Sequence, residues 1–314
     1  MLHITEEQVR DTLDYPKAIE LAREAYVEIA QGEVSNPSRA WLEVPGGASL
    51  YSMLAHVKGH KTISVKLARV SPYNQSRSLP VTMATLYLFD AETGSAVAEI
   101  EAENLTAIRT AASTAVATDI LARKDATSLG VFGSGKQALA HVSAIKCIRD
   151  IDYVSVYSLD KESSWRFAKT IAEKHRLTVH VASDPRQVVE SSDILVLATT
   201  STTPLFDGNL VKNGTHVNAI GAALPTNRET DSELVRRSFV VVDSRDQAFS
   251  SYGDILKPIE EGVIGKGQVK ELGQMLTDPK QFSRTADAIT LFKSGGIAAL
   301  DAVVADYLVS HLGT

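Results

Sequence analysis

The chain has 314 residues, of which 44% are hydrophobic and 22% charged, the balance of a globular protein with a sizeable core; this excludes a disordered or low-complexity chain. A formal net charge of −6 offers no basic field to a nucleic acid backbone or an anionic membrane, so neither is expected as a partner. A single cysteine, Cys147, excludes an intrachain disulfide, no apolar run reaches the ~18 residues of a membrane span, and the first residues lack a signal-peptide pattern, so a cytoplasmic location is expected.

Thr5, before Glu6 and Glu7, reads as the cap of a short helix, and Asp14-Tyr15-Pro16 opens a second. The apolar positions Ala18, Ile19, Ala22, Ala25, Tyr26 and Ile29 keep a helical period until Gly32. From residue 39 to 89 the period falls to two. Strands are expected at 41–44, 48–55, 61–69 and 82–89, joined by the turns Pro45-Gly46-Gly47 and Lys58-Gly59 and by a loop over 71–80. The result is a mostly antiparallel sheet. Another strand follows at 96–101, then a long Ala/Thr-rich helix at 104–121.

The apolar run ending in Leu129 to Phe132 meets Gly133-Ser134-Gly135-Lys136-Gln137-Ala138, and an amphipathic segment continues over 139–148. Strand, tight turn and helix in that order suit a dinucleotide. Gly133 permits the turn, Gly135 omits a Cβ that would block a pyrophosphate, and Ala138 lets helix and strand pack closely. The phosphates would then meet the helix N-terminus. A lone GxGxxA equally describes a structural glycine turn, so the segments downstream of it decide between the two. A strand at 153–157 leads to Ser158 and Asp160, roughly 20 residues beyond the third small residue, where the ribose-reading group belongs. A helix at 162–175 comes next. Aliphatic runs at 178–181, 193–198, 216–220 and 239–243 then read as strands buried on both faces of a parallel sheet.

The expected fold class is therefore α/β, a Rossmann dinucleotide-binding domain over 120–296 beside an α+β domain made of 1–119 and 297–314. After residue 243 the pattern is helical. The last segment is a strand or loop ending at Lys293-Ser294-Gly295-Gly296, then an apolar helix that returns to the N-terminal domain.

Three cations stand out in the first domain: Arg39, Lys66 and Arg109. Lys66 interrupts an apolar strand, and Arg109 interrupts a helix of small apolar residues, so each is costly to bury unless an anion meets it. They are read as a clamp for a substrate carboxylate, facing a nicotinamide across the cleft between domains. The alternative is pairing with internal acids such as Glu101 or Glu103. Thr199, Thr200 and Ser201 follow a strand end and are candidate nucleotide contacts. Ser158, where an acid would repel a 2′-phosphate, favours NADP over NAD with Lys161 near enough to help, whereas Asp160 acting as that acid would favour NAD. No metal site is expected: His56 and His60 have helical spacing, but Gly59 intervenes and no acid or cysteine completes a set. They are read as surface histidines, His216 as a core residue, and Cys147 as a buried thiol on the apolar face of the first Rossmann helix.

The motifs Val65-Lys66-Leu67, the Asn74 loop with Leu79-Pro80, Leu88 through Gly94, and Leu105-Thr106-Ala107-Ile108-Arg109 occur in a telling order. They continue with Gly133 through Ala138, Asn218-Ala219-Ile220-Gly221, Pro225 and Arg228-Glu229. In these the chain resembles the ornithine cyclodeaminase and mu-crystallin family along almost its whole length. The resemblance implies a Rossmann domain, a dimerisation domain whose sheet joins its counterpart in a homodimer, and carboxylate binding by Arg39, Lys66 and Arg109. It also implies that Lys66 lies close to the reacting imine or amine, and that Asn218, Gly221, Lys293 and Ser294 approach the nicotinamide side. The cyclodeaminases carry an acid where this chain has Ala223, and a second acid that aligns with Tyr51. With neither acid present, an NAD(P)H-dependent reductase of small ketimine or 2-imino carboxylic acids is the expected function. An alanine-type dehydrogenase, an ornithine cyclodeaminase and an NADP-binding protein with little catalysis are the alternatives.

Overall fold

The computed structural model describes residues 1–44, 47–77, 79–80, 82–281 and 285–313; Pro45 and Gly46 of the expected turn and Ser78 of the expected loop lie outside the described residues. Two compact units form, one from residues 1–109 with 296–314 and the other from 110–295.

The first unit opens with β1 (Leu2–Ile4), α1 (Glu6–Thr12) and α2 (Tyr15–Ala30). Thr5 accepts from the Gln8 amide while the Gln8 side chain returns to the Thr5 amide, and Asp14 accepts from the Lys17 amide, so both helices start where their caps predict. Strands β2 (Val34–Ser35), β3 (Ala40–Val44), β4 (Ala48–Val57), β5 (Thr62–Val70), β6 (Thr82–Asp90) and β7 (Ala96–Glu101) follow, and α3 (Glu103–Leu121) leaves the sheet. The strand order is β1-β7-β6-β5-β4-β2, with β3 paired to β4. Pairing is antiparallel except for β1, which runs parallel to β7 and is too short to show a period in the sequence.

The second unit contains β8 (Ser128–Phe132), α4 (Lys136–Lys146), β9 (Tyr153–Tyr157), α5 (Lys161–His175), β10 (Thr178–Val181), α6 (Pro185–Glu190), β11 (Ile194–Leu197) and β12 (His216–Ala219). It continues with α7 (Ser232–Arg237), β13 (Ser238–Val242), α8 (Arg245–Ser251), α9 (Gly253–Glu260), β14 (Lys270–Glu271), α10 (Leu272–Thr277) and β15 (Ile289–Lys293). All eight strands are parallel, in the order β10-β9-β8-β11-β12-β15-β13-β14. The first five reproduce the dinucleotide-binding arrangement, which reverses direction between β8 and β11 and opens a crevice at their carboxyl ends. β15 enters between β12 and β13, and its five residues are all buried. Finally α11 (Ala298–Leu312) packs on β4, β5 and α2 of the first unit.

One expectation is corrected here. Cys147 is exposed, because α4 ends at Lys146 and leaves the cysteine as its C-cap beyond the buried face. Among the described residues, no helix is long and apolar enough to cross a membrane, and no cluster of three or more His, Cys, Asp or Glu side chains is placed to hold a metal ion.

Candidate active site

A cleft of about 660 Å³ opens at the carboxyl ends of β8, β9 and β11, within the size range of small-ligand sites. Its wall is formed by Gly133, Ser134, Gly135, Ser158 and Asp160, and by Thr199 through Leu205. Gly133 adopts φ +99, and a Cβ there would overlap the Ala198 carbonyl, so only glycine brings the end of β8 against the end of β11. A Cβ on Gly135 would instead project into open space. That is the vacant volume a pyrophosphate needs at the start of α4, whose N-cap offers no side-chain acceptor of its own. These residues fit a dinucleotide.

At the ribose end, Ser158 Oγ donates to the Asp160 carbonyl and accepts from Ser134 Oγ at 3.2 Å. The Asp160 carboxylate caps α5, accepting from the Glu162 amide and from Ser163 Oγ. Those bonds, Ser163 foremost, hold it below the usual carboxylate range.

Among the other candidate contacts, Lys136 and Gln137 open α4 directly after Gly135. Asn218 is fully buried, donating to Thr118 Oγ1 and sharing a hydrogen bond with His216, itself a core residue bound to Thr290. Lys293 is fully buried, 2.9 Å from the Asp254 carboxylate and donating to the Ala222 carbonyl. Ser294 donates to Asp243, which also accepts from the Tyr252 hydroxyl. Thr199 lines the cleft, but its amide and hydroxyl both donate to Glu229.

In the first unit two of the three expected cations, Lys66 and Arg109, meet on an acid that the sequence reading missed. Lys66 Nζ on β5 and Arg109 Nε on α3 each lie 2.9 Å from the same oxygen, Oδ1 of Asp301 on α11. All three side chains are buried. Arg39 donates to the Gly296 carbonyl, and the Arg109 guanidinium lies against the same glycine. The alternative expectation, pairing with an internal acid, is met in kind for Lys66 and Arg109, with Asp301 as the acid; Glu101 instead accepts from the Glu6 amide, while the Glu6 carboxylate takes the Glu103 and Asn104 amides at the start of α3. Two cations sharing one buried carboxylate oxygen leave a surplus of positive charge there, which suits an incoming anion.

The Lys66 ammonium is pushed down to about 7 by burial, with Arg109 and Arg39 adding to the depression and Asp301 opposing it. Burial alone would raise Asp301, but Arg109 and Lys66 outweigh it and hold the carboxyl below its ordinary value. The positions of the two cyclodeaminase acids are also plain. Ala223 lies in the loop after β12, and Tyr51 on β4 stacks on Trp41 at 4.9 Å with the Arg39 guanidinium 5.8 Å from its ring.

Asp301 was findable by the criterion that found Lys66, a lone charge in an apolar run, since it stands alone in Ala298-Ala299-Leu300-Asp301-Ala302-Val303. Glu229 and Asp254 were not, because most of what they bind is loop backbone that only the fold brings to them.

Known proteins similar to this chain match it along almost its whole length. A Δ1-pyrroline-2-carboxylate reductase of Bacillus cereus is 33% identical over 98% of this chain and 95% of its own. The structure of Thermococcus litoralis Δ1-pyrroline-2-carboxylate reductase, in complex with NADH and L-proline, superposes with a TM-score of 0.96 at 33% identity, covering 100% of this chain and 99% of that one. An archaeal alanine dehydrogenase dimer with bound NAD follows at a TM-score of 0.92 and 30% identity, over 99% and 95% of the two chains. The sequence profile of the ornithine cyclodeaminase/mu-crystallin family matches residues 2–312, and the chain belongs to that family.

Proposed function

We propose that the protein is an NAD(P)H-dependent reductase of small ketimine or 2-imino carboxylic acids, for which pyrroline-2-carboxylate and piperideine-2-carboxylate are representative substrates. The observation that carries this reading is the buried set Lys66, Arg109 and Asp301, completed by Arg39, with no acid at Ala223. Arg39 and Arg109 bind the substrate carboxylate. Lys66 shares that task and, poised near neutrality, is the group able to give a proton to the imine nitrogen. Asp301 holds Lys66 and Arg109 in place and favours the charged form of the lysine. The bound reduced nicotinamide supplies the hydride to the imine carbon. Expelling an α-amino group requires further acid–base help, which alanine and tyrosine at positions 223 and 51 do not offer in carboxylate form.

The relatives named as Δ1-pyrroline-2-carboxylate reductases support the substrate class. Ser158, with the Asp160 carboxylate engaged at the start of α5, supports NADPH over NADH. The exposed apolar strand β3 supports a homodimer, in line with the dimeric archaeal relative. A second reading, an alanine dehydrogenase, is favoured by that relative's likeness, since pyruvate presents the same carboxylate.

Purified protein with NADPH or NADH, followed by nicotinamide absorbance on adding each cyclic imine, tests the proposal. Rapid oxidation is expected, faster with NADPH. Oxidation only with pyruvate and ammonia would establish the second reading, and ammonia release from ornithine with cyclic imines untouched would overturn the reductase.

A further inference from the structure

Four hydrogen-bond donors from two separate loops converge on one buried carboxylate in the second unit. Glu229 is fully buried. Its Oε1 accepts from the Thr199 amide and hydroxyl, both at 2.7 Å, and its Oε2 accepts from the Gly221 amide at 2.7 Å and the Ala222 amide at 3.3 Å. Thr199 belongs to the loop after β11, and Gly221 and Ala222 to the loop after β12. The loops touch so closely that a Cβ on Gly221 would overlap the Thr199 backbone. Two further charges hold the backbone around it. Asp254 accepts from the Glu229 and Thr230 amides and the Thr230 hydroxyl, each at 2.8 Å, while Lys293 reaches both Asp254 and the Ala222 carbonyl.

We infer that Glu229 is a positioning residue for dinucleotide binding, acting through Thr199 to hold the β11 loop, residues 199–203, as one wall of the cleft. This rests on the dinucleotide half of the proposed function and not on the identity of the imine. A carboxylate is required because all four groups facing it are donors. A glutamine amide satisfies one pair and turns its own N–H groups on the other, so two acceptor bonds are lost and a donor meets a donor. The loop then loses its anchor on the side away from the ligand. Thr199 Oγ1 also accepts from the Ser201 amide, so the displacement passes along the wall.

The experiment is equilibrium titration of NADPH and NADH into the protein by nicotinamide fluorescence, without substrate, for wild type, Glu229→Gln, Thr199→Val and the double variant. Thr199→Val removes the hydroxyl donor and keeps the backbone bond, so it tests the staple even where Glu229→Gln fails to fold. We expect dinucleotide Kd to rise at least about tenfold in Glu229→Gln and about three- to tenfold in Thr199→Val, with the double variant far less than multiplicative. In turnover, KM for the dinucleotide should rise while kcat at saturating dinucleotide stays within about twofold, a split that general loosening would not produce. Wild type that binds neither dinucleotide would overturn the proposed function. Wild type that binds while folded Thr199→Val and Glu229→Gln bind equally well would overturn this inference alone, and so would multiplicative effects.

Discussion

At the scale of the residue, one oxygen governs the cation cluster. Asp301 Oδ1 receives both Lys66 Nζ and Arg109 Nε, and it favours the protonated form of Lys66, against which burial, Arg109 and Arg39 work. Removing that charge while keeping the shape, as in Asp301→Asn, must therefore lower the Lys66 pKa further below about 7. The sign follows directly. Imine reduction that draws on the protonated lysine is full below its pKa and falls as pH rises through it, so wild-type kcat/KM should decline with an apparent pKa near 7. In Asp301→Asn the same decline should begin at lower pH, leaving activity at neutral pH reduced by about tenfold or more while acidic buffer restores part of it. Profiles of kcat/KM from acid to alkali would show this, and coincident profiles would remove Lys66 from the proton's path. Lys66 and Arg109 were legible because each breaks an apolar context whose cost demands a partner. The identity of the partner was not, since the span from Lys66 to Asp301 is closed only by the fold.

At the scale of the element, regular structure was legible wherever a segment was long enough to show its period. Helices α2 and α5 and strands β4, β5, β8 and β9 lie within a few residues of expectation, because caps and alternation are local signals. Strands β1, β2 and β14, two or three residues each, carry no period and exist only because a neighbour pairs them. The insertion of β15 between β12 and β13 is a fact of topology that no local pattern contains. The end of α3 depends on a distant residue in the same way. Arg149, just past α4 and buried, donates to the carbonyls of Thr118, Asp119, Ala122 and Arg123 and to the Asp119 carboxylate. It thereby satisfies the carbonyls that a helix leaves open at its C-terminus. Arg149→Ala should destabilise the second unit by about 2–4 kcal/mol. Arg149→Lys should recover little of that, because an ammonium cannot span carbonyls that a planar guanidinium reaches together. Urea unfolding followed by circular dichroism measures both, and a loss below about 1 kcal/mol for the alanine variant would show these bonds to be dispensable.

At the scale of the whole molecule, the exposed face of β3 asks for a cover. All five of its residues are exposed, among them Leu42 at 60% and Val44 at 49%, and among the described residues β3 pairs only with β4. An apolar strand with an open edge is a template for association, and in the proposed homodimer a second copy of the chain would close it without further extension. Arg39 stands immediately before this strand, with its guanidinium by the Tyr51 ring that stacks on Trp41. Ordering β3 in a dimer would thus also order one arm of the carboxylate clamp. The double variant Leu42→Lys, Val44→Glu should shift the protein from dimer to monomer in sedimentation, and kcat/KM for the cyclic imine should fall about tenfold through KM. NADPH affinity should be unchanged, because the cleft belongs wholly to the second unit. A variant that stays dimeric would place the interface elsewhere. A monomer with undiminished kcat/KM would show that Arg39 reaches its geometry within a single chain, leaving the exposed strand a role in assembly alone.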